Sequence, residues 1–180
     1  VFEQSVRRAL PDDVILRDLF ESLLSVLSVL KDQRRAFDRQ LARFAREDEA
    51  CRIISSAPGV GNLTAIAFVT AVDDPARFRS ACDVGAYLGL TPKRYQSGEV
   101  DIGGRISKTG DRVTRKLLFE AATVILYRAS PSIALKQWGL RLSARSGSWK
   151  ARVALARKLA VTLLSMWKTN TMFENRNLPA

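Results

Sequence analysis

Two serines stand among five cations between Pro92 and Arg112: Ser97 and Ser107, with Lys93, Arg94, Arg105, Lys108 and Arg112 around them. A hydroxyl is a weak nucleophile and a phosphodiester is an anion. Cations at this density neutralise the phosphate and the charge that develops as its bonds rearrange. The stretch runs Pro92-Lys93-Arg94-Tyr95-Gln96-Ser97-Gly98, then Gly103-Gly104-Arg105-Ile106-Ser107-Lys108-Thr109-Gly110-Asp111-Arg112. With few apolar and many small residues it reads as a loop, and function tends to sit on loops held by a rigid scaffold. A solvated connector rich in turn residues has the same composition, so the rest of the chain must decide.

The chain contains no histidine. That removes Ser-His-Asp and Cys-His catalysis, histidine-ligated zinc and imidazole acid–base chemistry. Near the loop only Glu99, Asp101 and Asp111 are acidic. Cys51 and Cys82 lack metal-ligand spacing and read as buried thiols, with a disulfide as the alternative.

Net charge is +11 over 180 residues, and it is unevenly placed. Residues 1–92 carry 12 Lys/Arg against 13 Asp/Glu, whereas residues 93–168 carry 16 against 4. All the excess lies in the second part, the electrostatic footprint of a nucleic-acid surface. No apolar run approaches the ~20 residues of a bilayer span, and no secretory segment opens the chain. A cytoplasmic, nucleoid-associated protein is expected. The chain opens on Val1 in mid-pattern, which is read as a segment of a longer protein.

The elements that must position this chemistry are helices. Pro11-Asp12-Asp13 marks a helix start, acids being favourable at the positive end of the helix dipole. Leu16, Phe20, Leu23, Leu27, Leu30, Phe37, Leu41 and Phe44 then step by three and four, with Arg34 in the seam. The pattern predicts a helix of about 50 Å that forms a coiled coil or an antiparallel pair. A long helix folded on its own domain is the alternative. Further on, Pro58-Gly59-Val60-Gly61 joins two helices in the manner of a helix-hairpin-helix turn. There Gly59 and Gly61 would let the backbone approach a phosphate; a tight turn with no ligand looks the same.

Asp73-Asp74-Pro75 breaks the next helix, and Phe78, Ala81, Val84 and Leu88 suggest a short one. After the basic loop, Asp111 or Thr109 caps a helix to about Arg128, with Val113, Leu117, Leu118, Ala121, Val124 and Ile125 inward. Ser130-Pro131-Ser132 restarts a helix bearing Ile133, Leu135, Trp138 and Leu142. The last, about Trp149 to Lys168, turns Val153, Leu155, Leu159, Leu163 and Trp167 inward and Arg152, Arg157 and Lys158 outward. No strand alternation is convincing, although Tyr95-Gln96 or Val100-Asp101-Ile102 could pair as a short hairpin. The fold class is all-α. Arg115 and Lys116 are candidates for phosphate contact and Tyr95 for base stacking, while Trp138, Trp149 and Trp167 read as core or interface.

The ordered motifs Pro58-Gly59-Val60-Gly61, Asp74-Pro75-Ala76-Arg77-Phe78-Arg79-Ser80, Tyr87-Leu88-Gly89-Leu90-Thr91-Pro92, Ser97-Gly98, Gly104-Arg105-Ile106-Ser107-Lys108-Thr109-Gly110-Asp111 and Ala154-Leu155-Ala156-Arg157-Lys158-Leu159-Ala160 resemble the C-terminal transposase domain of the insertion sequence 110 family. These IS116/IS110/IS902-type DEDD transposases are related to Piv-type DNA invertases. The resemblance covers about residues 50–170. It implies that an N-terminal RuvC-like domain, absent from this chain, supplies four acidic ligands for a divalent metal such as Mg. This chain would hold no cofactor or metal of its own. It implies a serine that attacks DNA to form a phosphoserine link, best matched to Ser97, with Ser107 as the fallback. It also implies an element-encoded guide RNA that pairs with DNA.

On that reading residues 1–50 are a heptad segment for homo-oligomerisation, as dimer or tetramer. Residues 51–170 are the helical transposase domain and 171–180 a tail. Gly59, Gly61, Lys93, Arg94, Arg105, Lys108, Arg112, Arg115 and Lys116 would bind nucleic acid. The competing reading is a helix-hairpin-helix module that holds the DNA backbone without chemistry. A pure dimerisation scaffold leaves the charge asymmetry unexplained.

Overall fold

The computed structural model describes residues 2–10, 13–97 and 100–175, and of residues 94–97 and 100–103 the backbone path only. It forms two compact units, Val1–Arg43 and Phe44–Ala180. In the first, α1 (Phe2–Ala9) precedes α2 (Val14–Glu47), whose last turn belongs to the second unit. The Asp13 carboxylate accepts from the backbone N–H groups of Ile15 and Leu16 at 2.9 and 3.1 Å, which caps α2 where the acidic signal stands. Helix α1 was not legible as a separate element. It is tied to α2 by ion pairs, Arg7 to Glu21 at 3.0 Å and Lys31 to Glu3 at 2.6 Å. The heptad residues Leu16, Phe20, Leu23, Leu30 and Phe37 remain exposed.

The second unit is built around α8 (Ser148–Thr169). Its buried residues Leu155, Leu159, Leu163 and Leu164 alternate with Ala151, Ala156 and Ala160. The small residues let neighbours approach closely, so α3 (Glu49–Ser55), α5 (Asp83–Tyr87), α6 (Arg112–Arg128) and α7 (Ala134–Ser146) all pack on α8. Helix α4 (Asn62–Val72) packs between α3 and α6 and buries Phe68 and Val72 completely. Asp73 ends it at φ 64°, and Asp74 caps a 3₁₀ turn over Pro75–Arg77 by accepting from the Ala76 N–H at 2.8 Å.

The expected face of α6 is rotated. Val113 and Val124 are exposed, and Thr114, Leu118, Ala121, Ala122, Ile125 and Leu126 face the core. Thr114 is hidden from a count of apolar residues because its hydroxyl donates to the Ala67 carbonyl at 3.0 Å, which satisfies it in the interior.

The stretch expected as a basic loop is largely a β-ribbon. Strand β1 (Pro92–Ser97) pairs antiparallel with β2 (Val100–Ile106), from Pro92 opposite Ile106 out to Ser97 opposite Val100. The register slips between Pro92 and Arg94. Proline has no N–H for the ladder and is accommodated at a strand's first residue or beside a bulge. Among the described residues this pair is the only sheet, and the all-α class stands.

Candidate nucleic-acid interface

The ribbon is anchored by two backbone segments that interlock. Gly89 (φ +66°) lies against Lys108 and Thr109, and Gly110 (φ +74°) lies against Tyr87. A methyl at Gly89 would stand 2.3 Å from the Thr109 carbonyl oxygen, so no side chain fits there. The N–H of Ser107 donates to the Thr91 carbonyl at 2.9 Å and that of Lys108 to Gly89 at 3.1 Å. Lys108 is itself left-handed, at φ 58°. Asp111 closes the segment by accepting from the Thr114 N–H at 2.6 Å, which starts α6. Of the two caps expected, aspartate serves.

Arg115 belongs to this anchor. Its Nη1 donates to the carbonyls of Thr109 at 2.8 Å and Leu88 at 3.1 Å, with longer contacts to Asp111 and Gly110. The guanidinium therefore holds the two segments together, a structural role that the reading as a phosphate ligand lacks. Lys116 is exposed and pairs loosely with Glu120 at 3.7 Å.

The other expected residues separate into two groups. Lys93, Arg105, Lys108 and Arg112 are exposed at or near the ribbon base, where Ser107 is half-buried with its hydroxyl 2.9 Å from that of Thr109. Ser97 ends β1, five residues from Pro92, so its backbone lies roughly 17 Å along the ribbon. The side chains of Arg94, Tyr95, Ser97 and Asp101, and Glu99 as a whole, lie outside the described residues.

Gly59 and Gly61 also differ from each other. Gly59 (φ +75°) faces α6, and a Cβ there would stand 2.7 Å from the Ala121 carbonyl oxygen; packing within the domain accounts for this glycine. At Gly61 a Cβ would meet nothing within 4 Å, and this residue is the N-cap of α4 with no side-chain cap.

The ribbon base and α8 enclose a cleft of about 1140 Å³. Among the described residues four cations line it, Arg105 and Lys108 from one wall and Lys150 and Arg157 from α8, and no acid does. Trp149 lines it too and is 69% exposed, which leaves the interface rather than the core of its two expected places. Its indole stacks on Phe119 with centroids 5.9 Å apart, and the Arg152 guanidinium sits 4.1 Å from the indole centre. Trp138 and Trp167 do pack against the core, Trp138 beneath the Lys158 ammonium at 4.6 Å. Burial first, then the neighbouring Arg141, lowers the Lys158 pKa.

Sequence reasoning missed Lys150 and the cleft-facing position of Trp149 because the α8 periodicity ranks residues by apolarity alone. The aromatic-cationic run Ser148-Trp149-Lys150-Ala151-Arg152 was the available signal. Cys82 is exposed rather than buried, while Cys51 is buried and both thiols are free. Among the described residues no three acids or cysteines stand together to hold a metal ion, and Asp111 is engaged as a cap.

A helical domain with a two-stranded ribbon and a cleft whose described charged residues are all cations is the class these features define. Residues 51–137 match the family model described as Transposase IS116/IS110/IS902 family, and it is this segment that is similar to that family. It is 32% identical over 147 residues to the transposase for insertion sequence element IS1111A of Coxiella burnetii, covering 81% of this chain and 39% of that protein. The transposase for insertion sequence element IS1328 of Yersinia enterocolitica is 33% identical over 132 residues, 73% of this chain and 40% of its own length. The pilin gene-inverting protein of Moraxella bovis is 26% identical over 127 residues, 69% of this chain and 38% of its own length. The chain spans about two-fifths of the length of these curated relatives.

Proposed function

We propose that this chain is the nucleic-acid-holding and nucleophile-bearing part of a DNA transposase or site-specific recombinase. The observation that carries the reading is the joint placement of the ribbon and the charge. Ser97 ends a strand that leads away from a rigid base, and four cations gather in the cleft at that base. A nucleophile set out from its own domain suits a reaction centre completed by another domain. In the step proposed, the Ser97 hydroxyl oxygen forms a bond to a backbone phosphorus. The phosphodiester's bond to one DNA strand breaks, and that strand leaves as a hydroxyl carrying the serine proton. Attack by a second strand's hydroxyl reverses the exchange and frees the serine. Lys93, Arg94, Arg105, Lys108 and Arg112 would neutralise phosphate during both steps.

Activation of so weak a nucleophile is assigned to a RuvC-like domain outside this chain, whose acids would hold a divalent metal. A guide RNA is the second expected partner, and base pairing would then set the target. The exposed heptad residues of α2 support a homo-oligomer. Among the described residues no helix is long and apolar enough to cross a membrane.

The test is Ser97→Ala in the full-length protein, with recombination and DNA binding measured in parallel. Lost recombination with retained binding, and a covalent protein–DNA adduct in the wild type only, is the expected result. Retained recombination overturns the assignment and transfers it to Ser107. A second reading, a DNA-holding module without chemistry, draws on the open Gly61 at the start of α4. It predicts that both serines are dispensable and that Gly61 and the cations matter.

A further inference from the structure

We infer that the cleft between the ribbon base and α8 seats an unpaired nucleotide, its base against the open face of Trp149 and its phosphates along Arg105, Lys108, Lys150 and Arg157. The inference rests on the nucleic-acid reading above and names the state of nucleic acid that the cleft takes.

Trp149 is the first argument. A tryptophan 69% exposed on a helix is an apolar surface of a kind that folding ordinarily covers. Yet it is held in place. Phe119 stacks on the indole within 17° of parallel, and the Arg152 guanidinium lies 4.1 Å from the indole centre and 5.3 Å from the Phe119 ring centre. With Phe119 5.9 Å and Arg152 4.1 Å from the indole centre, a placement on opposite faces would open an angle above about 90° between them and separate them by more than about 7 Å. At 5.3 Å they share one side. The other face is left for a ligand, and its orientation is fixed before anything binds, which lowers the entropy lost on binding.

The cleft is the second. Its floor includes Leu90, Ile106 and Val153, and its four cations have no acid paired with them among the described residues. The Arg157 stem lies against Gly85, where a Cβ would stand 3.0 Å from its Cγ, so close packing positions that side chain. At about 1140 Å³ the cleft exceeds the roughly 300–1,000 Å³ of small-ligand sites. An aromatic platform with cations beside it matches a stacked base and its flanking phosphates. A duplex hides its base faces by stacking and would leave the indole unused, so the cleft fits a single strand.

The experiment measures binding of the whole chain to a twelve-residue oligo-dT, a twelve-residue oligo-U and a twelve-base-pair DNA duplex by fluorescence anisotropy. Variants are Trp149→Ala, Trp149→Leu and Trp149→Phe, with circular dichroism confirming the fold. Trp149→Ala and Trp149→Leu are expected to weaken single-strand binding roughly 5- to 150-fold, and Trp149→Phe, which keeps a π-face, by far less. Duplex binding should change less than twofold. The two single strands tell DNA from RNA as the source. Single-strand binding indifferent to Trp149, or equal losses on single strand and duplex, overturns the inference and leaves the nucleic-acid reading in place. Absence of salt-dependent binding to all three probes overturns both.

Discussion

Gly110 lies so close to Tyr87 that a methyl on its Cα would stand 2.1 Å from the Tyr87 carbonyl oxygen. This contact, with its counterpart between Gly89 and Thr109, sets where the ribbon leaves the helical body. Gly110→Ala must therefore shift the backbone as well as adopt a left-handed φ of +74°. It should destabilise the chain by about 1–3 kcal/mol, read as a lower urea midpoint. Gly61→Ala, with φ −95° and open space, should stay within about 0.5 kcal/mol of wild type. Equal losses at the two positions would contradict the interlock.

Asp111 is held below the ordinary carboxylate range by hydrogen bonds from Thr114 first, with Val113 and Arg115 adding smaller contributions. A carboxyl whose pKa falls on folding adds stability that is complete above its unfolded value, about 3.9. That stability is lost as pH falls through the lower folded value. Asp111→Ala should cost about 1 kcal/mol at pH 7. Asp111→Asn keeps a cap acceptor but cannot titrate, so the wild-type advantage over it should shrink between pH 5 and pH 2.5. A pH-independent difference would remove the charge from the explanation.

Arg115 and Lys116 are neighbours in sequence with different expected roles. Because Arg115 bonds the Leu88 and Thr109 carbonyls, Arg115→Ala should lower stability by about 1–3 kcal/mol. The Lys116→Ala change should leave stability nearly unaltered. In salt titrations of DNA binding, each lost phosphate contact lowers the slope of log affinity against log salt by about 0.9. Lys108→Ala should show that reduction more fully than Arg115→Ala. The reverse ranking would return Arg115 to the phosphate contacts.

The Cys51 thiol is buried, and that burial, with the hydrogen bond and charge of Asp48, pushes its pKa up to about 12. Cys82 is exposed. A thiol reagent at pH 8 should label one cysteine in the native chain and two after unfolding, since the thiolate is the reactive form. Two labels under native conditions would place Cys51 at the surface.

What the sequence by itself determined was local. The helix class, the start of α2 at Asp13, the cap of α6 at Asp111 and the break at Asp73-Asp74-Pro75 depend on residues within one turn of each other. Such signals are written in contiguous residues. The one-sided charge was equally legible, because it is a sum. The ribbon was only half visible: Gly103 and Gly104 interrupt the alternation of β2, and strand pairing depends on a partner that no local window contains.

Only the tertiary structure decided that Arg105 and Lys108 share a cleft with Lys150 and Arg157, more than forty residues away. It likewise decided that Trp149 lies open and that Gly59 is needed by α6. These outcomes follow from how α8 packs against its neighbours. Burial there is a competition among all apolar residues for one finite interior: Leu155, Leu159 and Leu163 fill it, and the tryptophan at the end of the helix is left outside.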